Sequence, residues 1–187
     1  MKTPVLRTPR LVLRPVTLAD APAIQRHIDN WNVVRRLSTQ VPWPYPADGA
    51  QRFIEEACLP AMERGEALIW VITRAGSPEE AIGVIDYRPS RDRPDSRGFW
   101  LAEAWWGRGL MTEAVTAMQD HVFFELGLER LLVAHSVHNG ASRRLKEKTG
   151  GRPVGTLRID HHEGGDEAEL WEVTAASWAA LRGRSAG

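Results

Sequence analysis

The chain is predicted to fold as one α+β domain, a central and mostly antiparallel twisted sheet flanked by helices. Three observations carry this. Strand, two helices, three strands, helix, strand, short helix and closing hairpin follow one another, which is neither a repeating βαβ series nor an all-β order. Met111, Ala114, Val115, Met118, Val122 and Leu126 recur at helical spacing and make one apolar helix face. Between residues 67 and 102, three strand-like runs are separated by turn-forming or charged residues, as in an antiparallel meander.

Taken in order, RLVLRPV (10–16) alternates apolar and polar positions, as a half-buried strand does. Residues 17–30 read as a helix, with Asp20 as its N-cap and Pro22 in the first turn. VPWPYP (41–46) excludes regular structure, because its prolines remove donors and restrict their neighbours. A second helix is expected over 48–64, kinked at Pro60 and stopped by Gly65. The runs 67–74, 81–89 and 97–102 follow as strands, broken by Gly76-Ser77-Pro78 and by SRDRPDS (90–96). The apolar-faced helix starts near Leu110 and ends at Gly127. Residues 128–137 read as a strand. Residues 139–151 read as a short helix, capped by Asn139 and stopped by Gly150-Gly151. RPVGTLRID (152–160) and ELWEVT (169–174), joined across Gly164-Gly165, form a hairpin before a last helical turn around Trp178.

A chain of 187 residues buries a core without disulfides or metals. Its 24 basic and 24 acidic residues cancel, so nothing in the balance implies nucleic acid as a partner. The single cysteine, Cys58, forms no internal disulfide. No leader pattern and no run of about 18 apolar residues is present, so the expectation is a cytoplasmic protein without a membrane partner. Eight tryptophans are many for this length, and Trp43, Trp105 and Trp106 adjoin Gly or Pro, where rings either pack or line a cleft.

WWGRGLMTEAV (105–115) joins a strand end to a helix start. First-turn amides there lack partners and the helix dipole adds positive charge, so a phosphate or pyrophosphate fits. Gly107 and Gly109 allow close backbone approach and positive φ, and Arg108 is placed to add a bidentate cation. The mononucleotide P-loop spacing and its lysine are missing. The dinucleotide fingerprint fails at Thr112, and His135 stands where an acidic ribose ligand is required. A helix start with two glycines of convenience is the plain alternative.

GFWLAEAWWGRGLMTEAV (98–115) followed by HNGASRRLKEKTGG (138–151) resembles the two cofactor motifs of the GNAT superfamily of acetyl-CoA-dependent N-acetyltransferases. TPRLVLRPVTLADA at one end and ELWEVTAASW at the other resemble the branch that contains the ribosomal-protein N-terminal acetyltransferases. The resemblance implies the GNAT fold, with strands splayed at the cofactor site. The loop pattern [Q/R]-x-x-G-x-[G/A] falls on residues 106–111. Gly109 is kept, whereas Trp106 and Met111 depart from it. By resemblance the amides of Gly107, Arg108, Gly109, Leu110, Met111 and Thr112 hold the CoA pyrophosphate, and the backbone of Leu101, Ala102 and Glu103 pairs with the pantetheine arm. Asn139 faces that arm and Arg144 lies near the CoA phosphates. Asn139 as a helix cap and Arg144 as a solvated charge are the alternatives. The tyrosine that many of these enzymes use as general acid would fall at Lys146, so that role is not carried over. Ser142 matches a serine that serves the branch as proton donor to the leaving thiolate.

Acetyl transfer to an amine needs a neutral nucleophile and therefore a proton acceptor. Glu103 and Glu172 are the leading candidates, with Glu169 on the same last strand as Glu172, and His135 and His138 flanking the cofactor end of their own strand. His135, His138, His161 and His162 do not have metal-ligand spacing, so no metal is expected. Trp31, Trp43 and Tyr45 are placed to form an aromatic wall for the acceptor. The expected activity is direct acetyl transfer from acetyl-CoA to a primary amine, either a protein N-terminus or a small molecule. A non-catalytic acyl-CoA sensor on the same frame is the alternative. A monomer and a homodimer are both compatible with the sequence.

Overall fold

The computed structural model describes residues 1–89, 96–163 and 165–184. Most of the expected charged break at 90–96 and Gly164 of the expected hairpin turn lie outside the described residues. The strands are β1 (Leu6–Arg7), β2 (Leu11–Pro15), β3 (Leu68–Arg74), β4 (Ser77–Tyr87), β5 (Phe99–Leu101), β6 (Arg130–Ser136), β7 (Arg152–Arg158) and β8 (Glu167–Thr174). The helices are α1 (Ala21–Ile28), α2 (Trp31–Val34), α3 (Gly49–Arg52), α4 (Leu59–Glu63), α5 (Leu110–Asp120), α6 (Gly140–Lys148) and α7 (Ala175–Leu181). The two-residue β1 and the short α2 carry too little pattern to be read from sequence.

Three elements differ from the expected pattern. The helix over 48–64 is continuous, but its middle, Phe53–Cys58, is a π-helical turn that comes just before Pro60. Proline cannot donate to the carbonyl four residues back and collides with it, and a wider turn relieves both. A second π turn, His121–Glu125, ends the helix begun by α5. β4 starts at Ser77, so the turn into it is shorter than expected, and register shifts at Ile72–Arg74 absorb the difference.

The strands form two antiparallel sheets, one in the order β1-β2-β3-β4-β5 and one in the order β6-β8-β7. They meet where the Ser96 amide donates to the Leu132 carbonyl at 3.0 Å. Beyond that bond they part. β5 ends after three residues and the chain turns away through a 3-10 turn at Glu103–Trp105, whereas β6 continues to Ser136. Among the described residues β5 pairs with β4 alone, so its other edge faces the opening.

β3 is buried on both faces, and its alternate residues feed two cores. Leu68, Trp70 and Ile72 face α5 with Val115, Met118 and Val122, a cluster that continues through Leu131, Val133, Trp171 and Val173 of the second sheet. Ile69 and Val71 face the helices, with Ile24, Ile28 and Ile54. α5 therefore packs on both sheets. Its first turn is held at the mouth of the opening.

Candidate active site

The opening between β5 and β6 leads into a cleft of about 1310 Å³. Phe99, Trp100 and Leu101 form one wall, Ala134 and His135 the other, and the loop from Trp105 to Thr112 closes one end. Gly107 and Gly109 both take φ +74°, a left-handed conformation that other residues adopt only with strain. Among the described residues none accepts a hydrogen bond from the amides of residues 107–112. The first intrahelical bond of α5 runs from the Glu113 amide to the Gly109 carbonyl. A row of free donors at a helix N-terminus in an open cleft suits a pyrophosphate by charge and shape.

Gly107, Gly109, Leu110, Met111, Thr112, Trp106 and Leu101 all border the cleft. Three other expectations for this wall are corrected. Ala102 is buried and its amide donates to the Ile82 carbonyl, so it does not face the opening. The Leu101 carbonyl accepts from Trp106 Nε1 at 2.7 Å, so the indole occupies part of the edge expected to pair with an extended ligand. Arg108 lies outside the lining, with its guanidinium 4.9 Å over the Trp105 ring. A cation missed in the sequence stands beside the loop instead. Arg10 donates from Nη1 to the Arg108 carbonyl at 2.9 Å and is held by Glu113. Burial works against the Glu113 charge, yet hydrogen bonds from Thr8 and Arg10 hold its carboxyl below the usual range. The signal was the strand-end arginine, but its partner is far away in sequence.

α6 forms the other side. Asn139 Oδ1 accepts from the Ser142 amide at 3.1 Å, so the cap role is observed, and Asn139, Ser142 and Arg144 all border the cleft. Lys146 is 0% exposed, and its Nζ donates to Ser142 Oγ at 2.9 Å and to the Ala134 carbonyl at 3.0 Å. His135 is 5% exposed and 3.3 Å from Glu169 without hydrogen-bond alignment. Burial, then Lys146, Arg143 and His161, push its pKa down to about 3.

The two carboxylates favoured as bases lie outside the cleft lining. Glu103 is exposed and accepts from the amide side chains of Asn30 and Asn32, both at 2.8 Å. Glu172, on the central strand β8 of the second sheet, pairs with Arg152 of β7 at 2.7 Å and with Arg130 of β6 at 3.8 Å. Asp86 and His161 do border the cleft. Of the expected aromatic wall, Tyr45 lines the cleft, with burial pushing its hydroxyl up to about 12. Trp31 and Trp43 pack on each other at 5.3 Å outside the lining, 40% and 39% exposed, with His162 edge-on to Trp31. Among the described residues no three His, Cys, Asp or Glu side chains converge as a metal site.

A two-part antiparallel sheet opened beside a glycine-led helix start defines an acyl-transferase frame, and comparison with known proteins agrees. Residues 10–152 match the family model described as Acetyltransferase (GNAT) domain. The chain is 30% identical over 166 residues to the Uncharacterized N-acetyltransferase YoaA of Bacillus subtilis (strain 168), covering 87% of this chain and 90% of that protein. Mycobacterium smegmatis RimJ in complex with CoA-disulfide superposes with a TM-score of 0.75 at 23% identity, over 97% of this chain and 94% of that one. RimL, a ribosomal L7/L12 alpha-N-protein acetyltransferase solved with coenzyme A, gives 0.76 at 18% identity, over 91% and 98%. The chain belongs to the GNAT family and is an acetyltransferase.

Proposed function

We propose that this enzyme transfers an acetyl group from acetyl-CoA to a primary amine, a protein N-terminus or a small molecule, by direct attack. The observation that carries the reading is the set of unpartnered amides at residues 107–112 at the end of the cleft between β5 and β6. These amides hold the pyrophosphate, with Arg144 bordering the same cleft as a nearby cation. The free β5 edge, with Leu101, and the Asn139 side of α6 flank the pantetheine arm, a strand-like pairing that the Trp106 indole limits to part of that edge. Acetyl-CoA supplies an activated thioester.

The acceptor amine enters from the side lined by Tyr45, Phe53 and Trp100. It must be neutral to attack, so a group bordering the cleft takes its proton directly or through water. Asp86 and His161 suit this better than Glu103 or Glu172, because they border the cleft. Burial lowers the His161 pKa, so its imidazole is neutral near pH 7, with a free lone pair but weaker basicity. Ser142 borders the cleft and gives its hydroxyl proton to the departing thiolate.

Titration with acetyl-CoA, followed by thiol release over a panel of peptide and small amines, tests the reading. Saturable binding, release with at least one amine and loss of binding in Gly109→Glu are expected. No acetyl-CoA binding by the wild type would refute it.

A further inference from the structure

Lys146 is a fully buried cationic side chain in the last turn of α6, an environment lysine occupies only when its charge is engaged. Room is made for it: a Cβ added at Gly151 would stand 3.3 Å from Lys146 Cβ and 3.3 Å from the Trp171 ring. Ser142 lies one helical turn earlier, so both side chains project from one face of α6. The ammonium reaches from that face to the Ala134 carbonyl of β6, behind the cleft wall. An ammonium only donates, so toward Lys146 the Ser142 oxygen is an acceptor. Among the described residues none accepts the Ser142 hydroxyl proton. That proton is available to the cleft.

Resting on the acetyl-CoA reading, we infer that Lys146 is the positioning residue for Ser142, turning its hydroxyl toward the thioester sulfur and resupplying its proton. Ser142 gives its proton to the sulfur as the carbon–sulfur bond breaks, and Lys146 gives one from Nζ to Ser142 Oγ. Lys146, left as a neutral amine, recovers a proton through the same hydroxyl from water in the cleft. His135 of β6 and His161, which follows β7, border the cleft, and Arg143 of α6 pairs with Glu169 of β8. His135 stays neutral near pH 7 because burial, then Lys146, Arg143 and His161, disfavour its protonation.

The test needs no knowledge of the acceptor. Coenzyme A is titrated by ultraviolet thiolate absorbance, free and bound to the wild type, Ser142→Ala and Lys146→Met, with affinities measured by calorimetry. In the wild-type complex the thiol is expected to ionise about one pH unit below free CoA, because a polarised hydroxyl stabilises the thiolate. In each variant the shift is lost while CoA still binds. Ser142→Ala, a small change at the cleft wall, reports on the same contact even where removing the buried lysine disturbs folding. A purely structural Lys146 would change the melting temperature and leave the thiol shift intact. An unshifted thiol in the wild type, or a shift that survives Ser142→Ala, overturns the relay alone. Absence of CoA binding by the wild type overturns the acetyl-CoA reading and the relay together.

Discussion

Gly109 shows how one backbone angle is both a structural and a functional requirement. Its φ of +74° starts α5 from a left-handed residue, and a Cβ there meets nothing nearer than Arg10 Nη2 at 3.7 Å. The space is free, so Gly109→Ala should cost only the conformational term, about 1 kcal/mol of stability by urea titration. A cost of several kcal/mol would mean that packing, which the geometry does not show, is involved. His135 makes a different prediction. An unfolded histidine gains its proton near pH 6.5, whereas folded His135 resists until about 3, so the unfolded state binds more protons between these values. Stability should therefore fall as pH drops through that window, by at most about 1.4 kcal/mol per pH unit for this group. His27, His121 and His161 are shifted in the same direction and add to the slope. Urea midpoints between pH 4 and 7 should be less pH-dependent in His135→Gln, and an unchanged slope would rule out His135 as a contributor.

At the scale of elements, the turn from β2 into α1 depends on one buried carboxylate. Asp20 accepts from Arg14 at 2.6 and 2.9 Å and from the Thr17 amide at 2.8 Å. Asp20→Ala leaves the partly buried guanidinium unpaired and should cost about 3 kcal/mol, read from the denaturation midpoint. Asp20 was expected as the N-cap of α1, but it makes no side-chain cap bond there; its carboxylate turns back to the Thr17 amide and to Arg14, since strand and helix are brought together only by the fold. By contrast, the period of α5 and the two glycines before it were legible, because helix spacing and left-handed φ are local demands. The expected kink at Pro60 was local as well, and the structure meets it with a π turn just before the proline. Lys146 could be read only as a missing tyrosine. Its burial against β6 depends on strand placement that no local pattern encodes.

For the whole molecule, α5 and the Ser96–Leu132 bond hold two sheets around an opening that a ligand would bridge. Binding across it should stabilise the native state by about 2.7 kcal/mol at acetyl-CoA concentrations one hundred times Kd. A melting temperature that rises with acetyl-CoA concentration checks this, and Gly109→Glu should abolish the rise. The sequence by itself determined the order of elements, the glycine-led helix start and the Asn139 cap, because each depends on backbone preference or on neighbours within one turn. Only the tertiary structure decided which polar groups meet. It directed Glu103 to Asn30 and Asn32, sent Glu172 to Arg152, stacked Arg108 on Trp105 and brought Arg10 to the loop. The physical reason is that a charged side chain goes wherever the fold supplies a partner or water, and Arg10 and its partner Glu113 lie 103 residues apart in sequence.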